Sequence, residues 1–376
     1  MEEAVFRGVK RVCYAGLDSV TLRREVAARI APAVSYDAYA FSTTDPDTGL
    51  LTHMLVEGVP APMVAAYCAH FYPHEAAVIT LDMVLEGHPV FSMMHQSREI
   101  ASACRASGLR YEAHVDLAVG ENLWGTFCLL RRDASDALRR RARALLERVA
   151  PHVARGLQTA SLIERGLEDR GADGAAAAPA VVVLDPRGRA TVRTEAAIAY
   201  LDDLADVGIV SPGGIPLAIT SAVERVRRMQ ARAEPDERAD VVLRARGRSD
   251  RWYTIRAMLA EPDAAGDVAA IVVVQPSTPR ERAAILTRLY DLSRREREVT
   301  AAVARGESTK RIAARLGVSP HTVKEHLDRA CAKIGVRGRK ALVAKLFFDG
   351  YAPGLAAERR HEVPRAARAA RAPASL

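Results

Sequence analysis

No apolar run in the sequence approaches the roughly 20 residues that a membrane-spanning helix needs; the densest, Ala269–Val274, is strand-sized. The expectation is therefore a chain with no membrane partner. The opening Met1-Glu2-Glu3 lacks the basic and apolar regions of a secretory signal. The five cysteines (Cys13, Cys68, Cys104, Cys128 and Cys331) are odd in number, scattered and without a C-x-x-C pair. That pattern excludes a disulfide framework and a cysteine-rich zinc site, and it fits a reducing cytoplasm. Also missing are G-x-x-x-x-G-K-[ST], G-x-S-x-G and G-x-G-x-x-G, the signatures of phosphate cradles, hydrolase elbows and dinucleotide folds. No nucleophile–base constellation stands out, so neither an enzyme nor a cofactor or metal is expected. What remains is an ordinary globular composition, 49% hydrophobic and 27% charged over 376 residues, enough for two or three domains.

Lysine is scarce, and its placement is informative. Only six occur, and Lys310, Lys324, Lys333, Lys340 and Lys345 lie within one short window. Residues 1–282 carry 34 Lys and Arg against 37 Asp and Glu; residues 283–348 carry 15 against 6, a net +9. A near-neutral body with one compact basic module points to a polyanion reader attached to something else.

Ahead of that module the patterning divides in two. Residues 12–165 read as a mixed α/β domain. Helical spacing covers Val20 to Val34. Strands are expected over 36–43 and 50–56, with the turn Asp45-Pro46-Asp47-Thr48-Gly49 between them. A helix is expected over 62–71, then strands over 108–117 and 123–131. A long amphipathic helix follows from Asp133 to about Gly166, kinked at Pro151; Val153 and Leu157 extend its stripe far enough to suggest a seam between subunits. The Gly- and Ala-rich stretch from Glu168 to Pro179 reads as a linker. Residues 178–278 then alternate as two strands, two helices and three strands, an antiparallel sheet with helices on one side. Residues 349–376, rich in Ala, Arg and Pro, are expected to be a disordered tail.

Some residues invite sharper readings. Cys68, His70, His74 and Glu75 cluster, but Pro73 breaks any shared helical face, and ordinary loop or core histidines are expected. Trp124 and Trp252 sit on strands and read as core. Asp185 ends a strand, and the following Pro186-Arg187-Gly188 suits a hairpin turn rather than a phosphoacceptor.

The basic module is a set of short helices punctuated by glycine. Arg294 to Ala304 is closed by Gly306; Ser308 caps a second helix ending at Gly317; Ser319, with Pro320 at the first position, starts a third that ends at Gly335. On the third, Val323, Leu327, Ala330 and Ile334 form an inward stripe. His321, Glu325 and Asp328 lie opposite, flanked by Lys324 and Arg329. The three residues Gly317-Val318-Ser319 match a helix-turn-helix turn, and such an outer face fits the major groove.

These residues resemble the LuxR/GerE-type helix-turn-helix. The match runs through Leu292–Val299, Gly306–Ala313, Leu316–His326 and Lys333–Val336, about 60 residues in register. The resemblance implies a four-helix DNA-binding domain over 283–348, with the third helix in the major groove and a fourth, from about Gly338 to Phe347, supporting dimerisation. The residues expected at the DNA are Ser308, Lys310, Ser319, His321, Thr322, Val323, Lys324, Glu325, His326, Asp328, Arg329 and Lys333, with Lys333, one turn from Gly335, placed for phosphate. Glu325 and Asp328 depart from the family's usual neutral or basic residues. At the level of pattern, residues 12–165 resemble a GAF-type sensor and residues 178–278 a PAS-like domain. The fold class expected is thus multidomain α+β: a GAF-like α/β sandwich, a PAS-like antiparallel sheet and an all-α reader.

The combined expectation is a cytoplasmic transcription regulator that binds double-stranded DNA as a homodimer, responds to a small-molecule effector and engages RNA polymerase. A constitutive DNA binder, whose front domains only dimerise or dock a partner protein, is the alternative.

Overall fold

The structure is a computed structural model that describes residues 1–66, 90–91, 98–120, 122–133, 136–168, 178–208, 212–232, 240–249, 251–262, 267–278, 281, 290, 292–304 and 306–343. The Cys68–Glu75 cluster, most of the linker and the tail expected from sequence lie outside the described residues.

The first unit is a mixed α/β layer. Helices α1 (Glu2–Cys13) and α2 (Ser19–Val34) precede strands β1 (Ala38–Thr44) and β2 (Leu51–Glu57). There follow α3 (Ala61–Ala66), β3 (Val90–Phe91), α4 (Arg98–Ala106), β4 (Tyr111–Val119), β5 (Asn122–Arg131) and the 33-residue α5 (Asp136–Glu168). The sheet is antiparallel in the order β2-β1-β5-β4-β3. Alternate residues (Tyr39, Phe41, Val115, Leu117, Phe127 and Leu129) face α1, α2 and α5 and form the first core. Asp18 caps α2 by accepting from Val20 and Thr21 N–H, the substitute that an N-terminal turn requires. Helix α1 was not legible as an element, yet its Val9 and Val12 are buried in this core.

Pro151 lies inside α5, within the span expected from sequence. One expectation about α5 is corrected by packing. Val153 and Leu157, expected at a seam between subunits, are buried within the single chain. Their stripe is covered by α1, α2 and the sheet: Gly156 backs onto Cys13 and Leu22, and Leu157 meets Gly125 of β5. The chain itself supplies the partner surface, so this stripe holds no free apolar seam.

The second unit repeats the strand order. Strands β6 (Ala180–Leu184) and β7 (Ala190–Arg193) lead to helices α6 (Glu195–Asp203) and α7 (Leu217–Arg232), then to β8 (Asp240–Arg246), β9 (Trp252–Leu259) and β10 (Ala270–Pro276). The sheet runs β7-β6-β10-β9-β8, the same permutation as the first. The one-sided core expected from the alternating strands is observed: Val182, Leu243, Ile255 and Val272 pack with Ile219, Val223 and Val226 of α7.

The units are docked along β2. Val207 adds to the β2 edge through Val56 N–H to Val207 O and Val207 N–H to Met54 O, each 2.9 Å. Asp206 accepts from Met54 N–H at 2.7 Å and from Leu217 N–H at 2.9 Å. The Asp45 turn acts as a lug: its carboxylate accepts from Asp47 N–H and from Arg244 N–H of β8, while the Arg244 guanidinium reaches Asp47 at 2.9 Å. Leu217 closes the contact among Leu51, Met54 and Val56. Gly208 carries φ +80°, and a Cβ there would overlap the Val56 carbonyl oxygen. Gly208→Ala is therefore expected to cost roughly 2–4 kcal/mol through overlap and left-handed strain, read as a lower melting temperature with earlier proteolysis between the units; an unchanged melt would refute the docking geometry.

Beneath the same edge, the buried Arg23 donates to Phe41 O at 2.7 Å, Ser19 O at 3.0 Å and, through its other amino group, pairs with His53 Nδ1 at 2.9 Å. Burial, and then the Arg23 charge, push His53 down to about 3. The folded chain keeps this imidazole neutral while the unfolded chain protonates it near 6.5, so stability falls as pH drops from about 6 towards 3, by about 1.4 kcal/mol per pH unit. His53→Gln retains an acceptor for Arg23 and removes this proton uptake. Its melting temperature is expected to fall less steeply than the wild type's between pH 6 and pH 4; parallel falls would exclude His53 as a source.

Candidate nucleic-acid interface

The basic module folds as α8 (Arg294–Ala304), α9 (Thr309–Leu316) and α10 (Pro320–Ile334), with residues 338–343 helical beyond them. Local chemistry sets each boundary. Ser308 Oγ accepts from Arg311 N–H, and Ser319 Oγ accepts from Thr322 N–H. Gly317 and Gly335 close their helices in the left-handed region, with φ 65° and 75°, where a Cβ would be strained. Val299, Val303, Ile312, Val323, Ala330 and Ile334 meet in one small core, with Leu327 partly buried against it.

This core turns the other face of α10 to solvent. His321, Lys324, Glu325, Asp328 and Arg329 are exposed; Thr322 and His326 are half-buried at its margins. Glu325 lies between His321, at 3.6 Å, and Arg329, at 3.8 Å. The carboxylate thus draws two basic side chains along the face, and exposed pairs of this kind are worth little to stability. Lys310 is exposed at the start of α9, and Ser308 and Ser319 are exposed at the two helix N-termini, where backbone N–H groups favour anions. The arrangement brings together ten of the twelve sequence-expected residues around α9 and α10, eight of them along the outer face of α10 and its rim.

Two of the expected contacts are displaced. Val323 is 1% exposed, so its side chain holds α10 on the core and cannot reach a groove. Lys333 faces back towards α8, and its ammonium lies 2.7 Å from Glu296 Oε2. Glu296 is buried, and its carboxylate also accepts from Ser293 N–H at 2.7 Å, while Ser293 Oγ accepts from Glu296 N–H. This is a reciprocal capping box. Hydrogen bonds from Lys333 and Ser293 hold the Glu296 carboxyl below its ordinary value against the opposing effect of burial. Sequence reasoning missed this pair, although Ser293-Arg294-Arg295-Glu296 carries the capping-box spacing. It also missed the contact of Arg297 Nη1 with Asn122 Oδ1, 3.2 Å away on the first sheet.

The pairing predicts what Lys333 does. Lys333→Met leaves the buried Glu296 carboxylate without its cation, and the module is expected to lose roughly 2 kcal/mol of stability, allowing for the half-exposed ammonium, as read by urea denaturation. An unchanged midpoint, with a salt dependence of DNA binding shallower by about one, would return Lys333 to phosphate contact.

Comparison with protein families matches residues 290–346 to the model described as bacterial regulatory proteins, luxR family. The C-terminal module is thus a LuxR-type helix-turn-helix domain, the DNA-binding element of such regulators. No curated protein matches the chain by sequence. Among solved structures, VqmA from Vibrio cholerae, described as a LuxR-type receptor, aligns at 18% identity over 46% of this chain and 82% of its own, with a TM-score of 0.22. Phage VqmA in complex with DPO aligns at 22% over the same shares, with a TM-score of 0.25. A PelD fragment from Pseudomonas aeruginosa PAO1 aligns at 15% over 77% of this chain and 81% of its own, with a TM-score of 0.27. Superpositions this loose carry no weight for ligand or assembly. Among the described residues, no helix is long and apolar enough to cross a membrane.

Proposed function

We propose that the chain is a regulator that reads double-stranded DNA with α10 and adjusts that reading through its two α/β units. One observation carries the proposal: a capped helix presents exposed, charged residues from one face of a module whose residues match the luxR family. In this reading the α10 N-terminus enters the major groove. Lys310, Lys324 and Arg329 contact phosphate or base edges, and Ser308, Ser319, Thr322 and the N-terminal N–H groups position the backbone. His321, Glu325, His326 and Asp328 lie along the base-facing side. A carboxylate in the negative groove is repelled unless it accepts a hydrogen bond, most naturally from a cytosine amino group.

The front units act as sensors: the first GAF-like, the second PAS-like. The shared strand order of their two antiparallel sheets supports this. An effector that prefers one arrangement of the docked pair shifts the reader by its differential affinity. The Arg297–Asn122 contact supports such coupling because it joins reader and first sheet. Homodimerisation through the helix beginning at residue 338, contact with RNA polymerase and a cytoplasmic site of action complete the reading; nothing in it requires catalysis.

Two substitutions separate affinity from specificity. Lys324→Ala is expected to weaken cognate and random DNA alike and make the salt dependence shallower by about one. Asp328→Ala is expected to tighten random DNA while relaxing discrimination at one base pair by roughly 1–3 kcal/mol. Equal tightening on both DNAs would make Asp328 a repulsive bystander and refute the base-reading role.

A further inference from the structure

The first sheet has a second face with a different chemistry. Ala113, Val115 and Leu117 of β4 point into the apolar core, whereas the intervening Glu112, His114 and Asp116 point the other way. Next to them on β5 stand Cys128, directly opposite His114, and Thr126, opposite Asp116. Across β1, Ser42 Oγ and Thr126 Oγ1 are 2.7 Å apart. All of these polar residues are buried, and Glu112, His114 and Asp116 are each 1% exposed. Carboxylates and imidazole removed from water need hydrogen bonds, ionic partners or a metal; here they stand beside an apolar patch, where Ala38 and Leu130 of the same face pack with Met63 of α3 and Ile100 of α4.

The spacing of the donors is specific. One donor atom each from Glu112, His114 and Cys128 lie within 4.8 Å of one another. Glu112 Oε1 and Cys128 Sγ are 3.4 Å apart, close to the edge of about 3.5 Å that a tetrahedral zinc-type site requires from its metal–oxygen and metal–sulfur lengths. Asp116 Oδ1 lies 3.2 Å from His114 Nε2, as a carboxylate does when it orients an imidazole that binds metal through its other nitrogen. Beside them lies a cavity of about 20 Å³, with Ser42, His114, Thr126 and Cys128 on its polar side and Ala40 and Leu130 among its apolar lining. That leaves room for about one water beside the donors, not for a bulky organic molecule.

We propose that Glu112, His114 and Cys128 form a mononuclear site for a divalent zinc-type ion, positioned by Asp116, with a fourth ligand place open to water in the cavity. Mixed oxygen, nitrogen and sulfur donors select borderline ions such as Zn²⁺ and Co²⁺ over Mg²⁺ or Ca²⁺. On loading, the Cys128 S–H bond breaks, its electron pair forms the sulfur–metal bond, and the proton leaves to solvent; nothing is oxidised or reduced. The site stands independently of the DNA-binding reading.

The full-length, metal-stripped chain titrated with Co²⁺ tests it. The expected result is saturation at one equivalent with a thiolate-to-cobalt charge-transfer band, bleached by Zn²⁺. Cys128→Ser removes the band, Cys104→Ser, at the buried thiol nearby, keeps it, and Glu112→Gln weakens cobalt binding at least about tenfold. A cobalt titration without that band, or a band that survives Cys128→Ser, overturns the proposal. Should Cys128→Ser fail to fold, Glu112→Gln decides, because unchanged cobalt affinity there overturns it equally.

Discussion

The edge of β2 is the constraint on which the rest of the chain's arrangement depends. A sheet edge exposes unpaired N–H and C=O groups that template pairing with any extended segment. Here Val207 takes up that pairing, and Asp206 accepts a further main-chain N–H beside it. The lug at Asp45 and the buried Leu217 then prevent the second unit from sliding along the edge. The two sheets are thereby joined by main-chain hydrogen bonds, carboxylate contacts and a small apolar cluster. Burial and the neighbouring Asp47 push the Asp45 carboxyl up to about 6, against the pull of the Asp47 and Arg244 N–H groups and the Arg244 charge. The lug is thus held by directional hydrogen bonds, and its charge is carried at a cost.

The reader follows a different logic. Its core is small, so its helices depend heavily on their ends: serine caps, left-handed glycines and one half-buried ion pair that ties the end of α10 to the start of α8. That division of labour frees the outer face of α10 from structural duty. It also explains why the basic charge of the module does not all belong to one function. Lys333 neutralises Glu296 inside the fold, while Lys324 and Arg329 remain on the surface.

Much of the fold was legible because it rests on local chemistry. The strands 180–184, 190–193 and 252–259 and the helix 294–304 are found where alternation, turns and helical spacing put them, since period and punctuation are properties of neighbouring residues. Helix α1 was not, because an acidic start and a short apolar stripe acquire meaning only against α2 and α5. The polar face of the first sheet was also hidden. Glu112, His114 and Cys128 are spread over two strands, and only strand pairing brings them opposite one another.

By itself the sequence determined the class of the protein's parts: two sheet-based units, a compact basic module and the outward and inward faces of its third helix. Tertiary structure decided which surfaces were already spent. The stripe through Val153 and Leu157 looks open along a helix, yet the chain covers it with its own α1 and α2. Lys333 reads as a phosphate contact by its place near the helix end, yet a buried carboxylate from another helix claims it. Hydrophobic period and charge are written residue by residue, but a partner is chosen by proximity in space, and proximity between distant segments exists only once the chain has folded.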